Sequence, residues 1–147
     1  MNKKNIDNKV VSDFGKEWQA FNHQDIDKSF LDSAFDSYFH FFPFDDVSNA
    51  EGFDMGCGSG RWAKFVAPKV GFLNCIDPSE AALEQAKLNL IDVKNCSFEC
   101  NGVDGNSLKD QSQDFGYSLG VLHHIPDTSL ALKACAKKLK SGAPFLL

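Results

Sequence analysis

The chain has 147 residues, 43% of them hydrophobic, and a formal net charge of −5. That length fits one domain, and the acidic balance argues against nucleic acid as a partner, because neutralising phosphates needs a basic face. There is no apolar run long enough to span a membrane and no signal-peptide pattern, so the expectation is a cytoplasmic globular protein without a membrane partner.

Residues 1–49 read as an N-terminal helical cap, distinct from residues 50–147. Residues 1–9 are polar and expected to fray. Eight of the 14 phenylalanines lie before residue 50, which marks the segment for burial. Phe14, Trp18 and Phe21 share helical spacing, as do Leu31, Phe35, Tyr38 and Phe42. Two amphipathic helices are predicted. They either pack on the core of the following domain or form a lid over its ligands.

The most informative stretch follows at Phe53-Asp54-Met55-Gly56-Cys57-Gly58-Ser59-Gly60-Arg61-Trp62. An acid ends a short apolar run, glycines stand at alternate positions, and a helix follows. Glycine lets the backbone turn sharply and lets a ligand approach the main chain. A glycine loop that opens a helix also aims free N–H groups at the ligand. The dinucleotide fingerprint wants its third glycine where this chain has Arg61. Asp54 would repel a pyrophosphate and suits an ammonium or sulfonium group instead. The loop therefore favours a cofactor without phosphates. The residues before Asp54, Asn49 to Phe53, make a poor strand, so the first strand is expected to be short or irregular.

The next apolar run, Val70 to Ile76, ends in Asp77, which follows Gly56 by 21 residues. A carboxylate there stands at the carboxyl end of the next parallel strand, beside the glycine loop, where it can accept hydrogen bonds from both ribose hydroxyls. Pro78 has no N–H to donate and is placed to pack on a flat ring. Ser79 is the N-cap of a helix from Glu80 to Leu90, with Leu83, Ala86 and Leu90 on one face. Phe98 to Asp104 reads as a third strand ending in a turn. Gln113 to Gly120 reads as a fourth strand that ends at a glycine, followed by Leu122-His123-His124-Ile125-Pro126-Asp127. Asp127 is the N-cap of a helix that ends near Lys140. Lys137, Lys138 and Lys140 suit its dipole as a solvated helix end. Gly142 terminates that helix, and Phe145-Leu146-Leu147 begins a fifth strand.

The sequence from about residue 50 to 147 resembles class I S-adenosylmethionine-dependent methyltransferases. Asp54-Met55-Gly56-Cys57-Gly58-Ser59-Gly60 looks like that family's first motif, and Leu139-Lys140-Ser141-Gly142-Ala143 looks like its turn into strand five. The resemblance implies an α/β, Rossmann-like doubly wound sheet, mostly parallel, with the C-terminal part of the sheet missing. It implies S-adenosyl-L-methionine as cofactor and a small molecule as methyl acceptor. Asp54, Gly56, Cys57, Gly58 and Gly60 would wrap the methionine part. Asp77 would hold the ribose and Pro78 the adenine. Val103, through its backbone, or Asp104, displaced by one position, would complete the adenine contacts. Leu119 and Gly120 would lie near the amino group. By the same resemblance the chain reads as truncated at strand five, a fragment that binds cofactor poorly and does not turn over.

His123 and His124 are the candidate catalytic groups, since histidine serves as a base near neutral pH. A structural role around the turn is the alternative. No metal site is expected: adjacent histidines do not easily face one ion, and Cys96 and Cys100 lack a second pair. The five cysteines fit a reducing compartment. Two other functions stay open, a nicotinamide-dinucleotide oxidoreductase and a non-catalytic cofactor-binding fragment. The oligomeric state is not legible.

Overall fold

The computed structural model describes residues 5–20 and 27–147, with the side chains of residues 17–20 left out. The expected roles of Trp18 and Phe21 therefore lie outside the described residues. Two helices come first, α1 (Asn8–Ala20) and α2 (Lys28–Tyr38), then β1 (Glu51–Met55), a short α3 (Ala63–Val66), β2 (Phe72–Asp77), α4 (Glu80–Asn89), β3 (Cys96–Cys100), β4 (Phe115–Tyr117), α5 (Thr128–Lys138) and β5 (Phe145–Leu146). The five strands form one sheet in the order β3-β2-β1-β4-β5, every neighbour parallel. Strand order reverses between β1 and β4, so the crevice above their carboxyl ends is where such a sheet binds ligands.

Of the expectation of a short or irregular first strand, β1 bears out the length, at five residues, and not the irregularity. It is regular and paired on both sides. Gly52 stands opposite Phe115, and Phe53 opposite Gly116. Each phenylalanine ring lies over the facing glycine: a Cβ on Gly52 would meet the Phe115 ring at 2.5 Å. The pair of glycines that weakens the local pattern makes room for two core rings, and tertiary packing overrides propensity.

Helices cover both faces. On one face Phe35 of α2, Ala63 and Val66 of α3, and Leu83 and Ala86 of α4 pack on Leu73, Cys75, Phe115 and Tyr117. On the other, Ala131 and Cys135 of α5 pack on Phe53, Met55 and Ile76. α4 is capped as the sequence implies, Ser79 Oγ accepting from the Ala82 N–H, and Leu83, Ala86 and Leu90 are buried together. Asp127 caps α5, accepting from the Leu130 N–H at 2.9 Å.

Other expectations need correction. α2 ends at Tyr38 and does not reach Phe42, because Pro43 disfavours helical backbone in the residue before it. Phe39 and Phe42 are still buried, from a turn, whereas Phe30 and Phe41 are 67% and 93% exposed. α5 ends at Lys138. Its lysines are not a merely solvated end: Lys137 and Lys138 pair with Asp110 at 2.8 and 3.2 Å, and Lys140 with Asp114 at 2.6 Å. Of residues 1–9, expected to fray, residues 1–4 lie outside the described residues, and from Asn5 on the segment is bonded: Asn5 to Asp104 and Asp127, and Asp7 Oδ1 accepting from the Lys9 N–H at 2.9 Å.

Candidate functional site

The strands end at a cavity of about 330 Å³. Its floor is the glycine loop after β1. Gly56, Gly58 and Gly60 all take positive φ, at 80°, 53° and 77°, a conformation that L side chains rarely adopt. At Gly56 space is also short, because a Cβ would meet Val121 at 2.5 Å. The Gly56 and Cys57 N–H groups donate to the Ile76 carbonyl at 2.7 and 3.0 Å, which ties the loop to β2.

Asp77 ends β2 at the cavity wall. Its Oδ2 accepts from the Gly58 N–H at 2.9 Å and its Oδ1 from the Ser79 N–H at 2.8 Å. Burial pushes its carboxyl above the ordinary range, and these two bonds pull it back. Each oxygen can accept a further bond, so the carboxylate holds the loop and still has acceptor capacity toward a ligand. The Asn101 N–H donates to the Asp77 carbonyl at 3.1 Å, which sets the turn after β3 beside it.

The structure brings most of the expected residues to this cavity. Gly56, Cys57, Gly58, Asp77, Pro78, Val103, Leu119, Gly120 and His124 line it. Asp54, Gly60, Asp104 and His123 are not among the lining residues. Gly60 is behind the loop, against Leu90. Asp54 is sealed under it, 2% exposed, and burial pushes its carboxyl from 3.8 up to about 8. The Tyr117 hydroxyl faces it and pulls the other way, but less. Among the described residues neither Asp54 Oδ2 nor that hydroxyl has a partner within hydrogen-bonding geometry, so the hydroxyl acts on the carboxyl by proximity alone. The Asp104 carboxylate accepts from the Asn5 N–H at 3.2 Å. The two histidines sit in a single turn, Leu122–His124; both are exposed, their rings lie 3.9 Å apart, and the His124 ring is edge-on to Phe14 at 4.9 Å.

Sequence reasoning missed Arg61, Trp62, Tyr38, Asn101 and Gly102, which also line the cavity. Arg61 packs over the Trp62 ring at 5.8 Å, and Tyr38 stands 5.4 Å from that ring. For Arg61 and Trp62 the position just after the glycine loop was the available signal, whereas Tyr38 reaches the cavity from the end of α2. From α1, Val10, Val11 and Phe14 close the opposite side, the apolar stripe being the trace of that contact in the sequence. Glycine floor, a carboxylate with acceptor capacity and apolar walls fit an adenosyl cofactor, and Asp54, sealed beneath the loop, is not placed to repel a phosphate.

The comparisons agree. A model of the methyltransferase domain family matches residues 53–147. The chain is 32% identical to the ubiquinone biosynthesis O-methyltransferase of Idiomarina loihiensis over 93 residues, 60% of this chain and 37% of that protein. It is 32% identical to the enzyme of the same name from Neisseria meningitidis over 99 residues, 65% of this chain and 42% of that protein. It thus spans about two fifths of the length of these curated relatives. Among solved structures, the S-adenosylmethionine-dependent methyltransferase of Mesorhizobium loti superposes with a TM-score of 0.67 at 24% identity, covering 78% of this chain and 52% of that one. A putative methyltransferase of the same class from Methanococcus maripaludis superposes with a TM-score of 0.67 at 20% identity, covering 97% and 64%. S-adenosyl-L-methionine is the cofactor of this group, and the chain belongs to the class I S-adenosylmethionine-dependent methyltransferases.

Proposed function

We propose that the protein binds S-adenosyl-L-methionine across the carboxyl ends of β1, β2 and β4 and directs its methyl group to a small-molecule acceptor. The observation that carries this reading is Asp77: one carboxylate pins Gly58 and Ser79 and keeps acceptor capacity at the cavity wall. Gly56, Cys57 and Gly58 cradle the methionine part, and Asp77 takes the ribose hydroxyls. Pro78 and the turn Asn101 to Val103 hold the adenine, and Leu119 and Gly120 border the amino group.

The cofactor supplies an activated methyl group when bound. The chain's own task is to orient the acceptor and keep water away. α1 serves as the lid, since Val10, Val11 and Phe14 face the cavity. Where the acceptor is a hydroxyl or amine, His124 is the group at the cavity that takes its proton, and His123 is not. Asp54 acts from beneath the loop as a buried, protonated support. The net charge of −5 supports a partner that is neither nucleic acid nor an anionic membrane surface, and the free cysteines support a cytoplasmic setting.

A thermal-shift comparison tests the cofactor. S-adenosylmethionine and its demethylated product are expected to raise the melting temperature, and a nicotinamide dinucleotide is not. Stabilisation by the dinucleotide alone would reject the reading.

A further inference from the structure

Asn101 and Gly102 are the one Asn–Gly pair in the sequence, and both line the cavity. In such a pair the glycine nitrogen can attack the preceding side-chain amide, because glycine has no Cβ to crowd the approach. The two groups must first come together, and here the fold holds them so. The Gly102 N–H donates to Asn101 Oδ1 at 3.0 Å. The amide carbon Cγ is one bond behind that oxygen, so the attacking nitrogen and the side-chain amide are held as neighbours.

The rest of the side chain is fixed in that pose. Nδ2 donates to the Gly105 carbonyl and, at 3.4 Å, to Glu99 Oε1. The Asn101 N–H is held by the Asp77 carbonyl at 3.1 Å. The group that must leave, Nδ2, therefore points at acceptors and away from Gly102.

We propose that Asn101 is a self-modification site whose conversion ends cofactor binding. The Gly102 nitrogen gives its proton to hydroxide, and its electron pair forms a bond to Cγ. The Cγ–Nδ2 bond breaks, and the nitrogen leaves as ammonia after taking a proton from water. Water then opens the cyclic imide at either carbonyl, leaving aspartate or isoaspartate at position 101. Aspartate puts a second carboxylate beside Asp77, which burial already disfavours as an ion. Isoaspartate adds a methylene to the main chain of the turn. Either product disturbs the adenine side of the cavity. This consequence rests on the cofactor reading above, whereas the chemical step does not.

The test is to age the full chain at mildly alkaline pH, folded and in urea, with and without S-adenosylhomocysteine, and to map peptide masses. The folded chain is expected to gain the mass of an amide-to-acid change at Asn101 several-fold faster than the chain in urea. S-adenosylhomocysteine should slow the gain, and Asn101→Gln, which would need a larger ring, should abolish it. The adjacent Asp104–Gly105 pair isomerises without a mass change, so the two events are separable. A slower gain in the folded chain than in urea overturns the proposal. Calorimetry on aged samples should show the binding-competent fraction falling in step with conversion, and full binding by converted chain would overturn the functional half. Fresh, unconverted chain that fails to bind would count against the cofactor reading, while the mass gain would still decide the modification.

Discussion

The ends of β1 and β2 carry an aspartate each, and the two live in opposite conditions. Asp77 has both oxygens bonded to backbone N–H groups and lies at the cavity wall. Asp54 stands in register with Cys75. That is two residues below Asp77, about 7 Å deeper along the strand. The glycine loop closes over it, and its Oδ2 has no hydrogen-bond partner among the described residues. The same residue type thus stands at the cavity wall in one place and, one pleat down, is buried where desolvation favours its neutral form. Depth in the sheet, set by register, separates the two.

The largest effect should come from the deeper acid. The Asp54 carboxyl rises from 3.8 to about 8 on folding. Between these values the folded protein keeps a proton that the unfolded chain has lost. Stability from this group is therefore full at pH below the lower value and is lost as pH rises to the upper one. Asp54→Asn removes the dependence. From about pH 5 to about pH 8 the variant should gain on the parent by up to about 4 kcal/mol in urea unfolding, at 1.36 kcal/mol per pH unit. A constant difference across that range would mean that Asp54 is ionised in the folded state, and the contrast with Asp77 would collapse.

Asp77→Ala should weaken cofactor binding by roughly 1.5–3 kcal/mol, the usual worth of hydrogen bonds to a charged group. It also strands the Gly58 and Ser79 N–H groups, so the melting temperature must be read alongside. Calorimetry on folded variant showing unchanged affinity would remove Asp77 from the site.

The loop and Asp77 were legible because their chemistry is local: glycines that must take positive φ, and an acid at a fixed spacing. Asp54 was equally visible as a residue, but its depth depends on pairing with β2, which no local pattern records. β1 looked irregular for a similar reason, since Gly52 is explained only by Phe115 from β4. The helix through Phe42 fails on a local signal: Pro43 disfavours helical backbone at Phe42, and this outweighs the helical spacing of Leu31, Phe35, Tyr38 and Phe42. Arg61 stands where a dinucleotide fingerprint has its third glycine, and only the fold shows Trp62 between it and Tyr38.

Asp104, after β3, extends the comparison to a third acid, and the smallest effect is expected here. Its carboxylate is taken by the chain itself, from the Asn5 N–H. The Asn5 side chain also clasps Asp127 in both directions. Its Nδ2 donates to the Asp127 carbonyl at 2.8 Å, and its Oδ1 accepts from the Asp127 N–H at 2.9 Å. Ile6 then lies over Gly102. The N-terminal segment is thereby fastened to the turns on both sides of the cavity just before α1 closes it. These bonds are exposed, so their net worth is about 1 kcal/mol together. Asn5→Ala removes the side-chain pair and leaves the backbone bond to Asp104 and the Asp127 cap of α5 intact. Global stability should hardly change, because the segment buries little. Cofactor dissociation should quicken by roughly fivefold, the kinetic equivalent of about 1 kcal/mol, with a smaller change in association. Stopped-flow measurement of both rates decides it. An unchanged dissociation rate would show that α1 is fixed core packing and that ligand exchange takes another route.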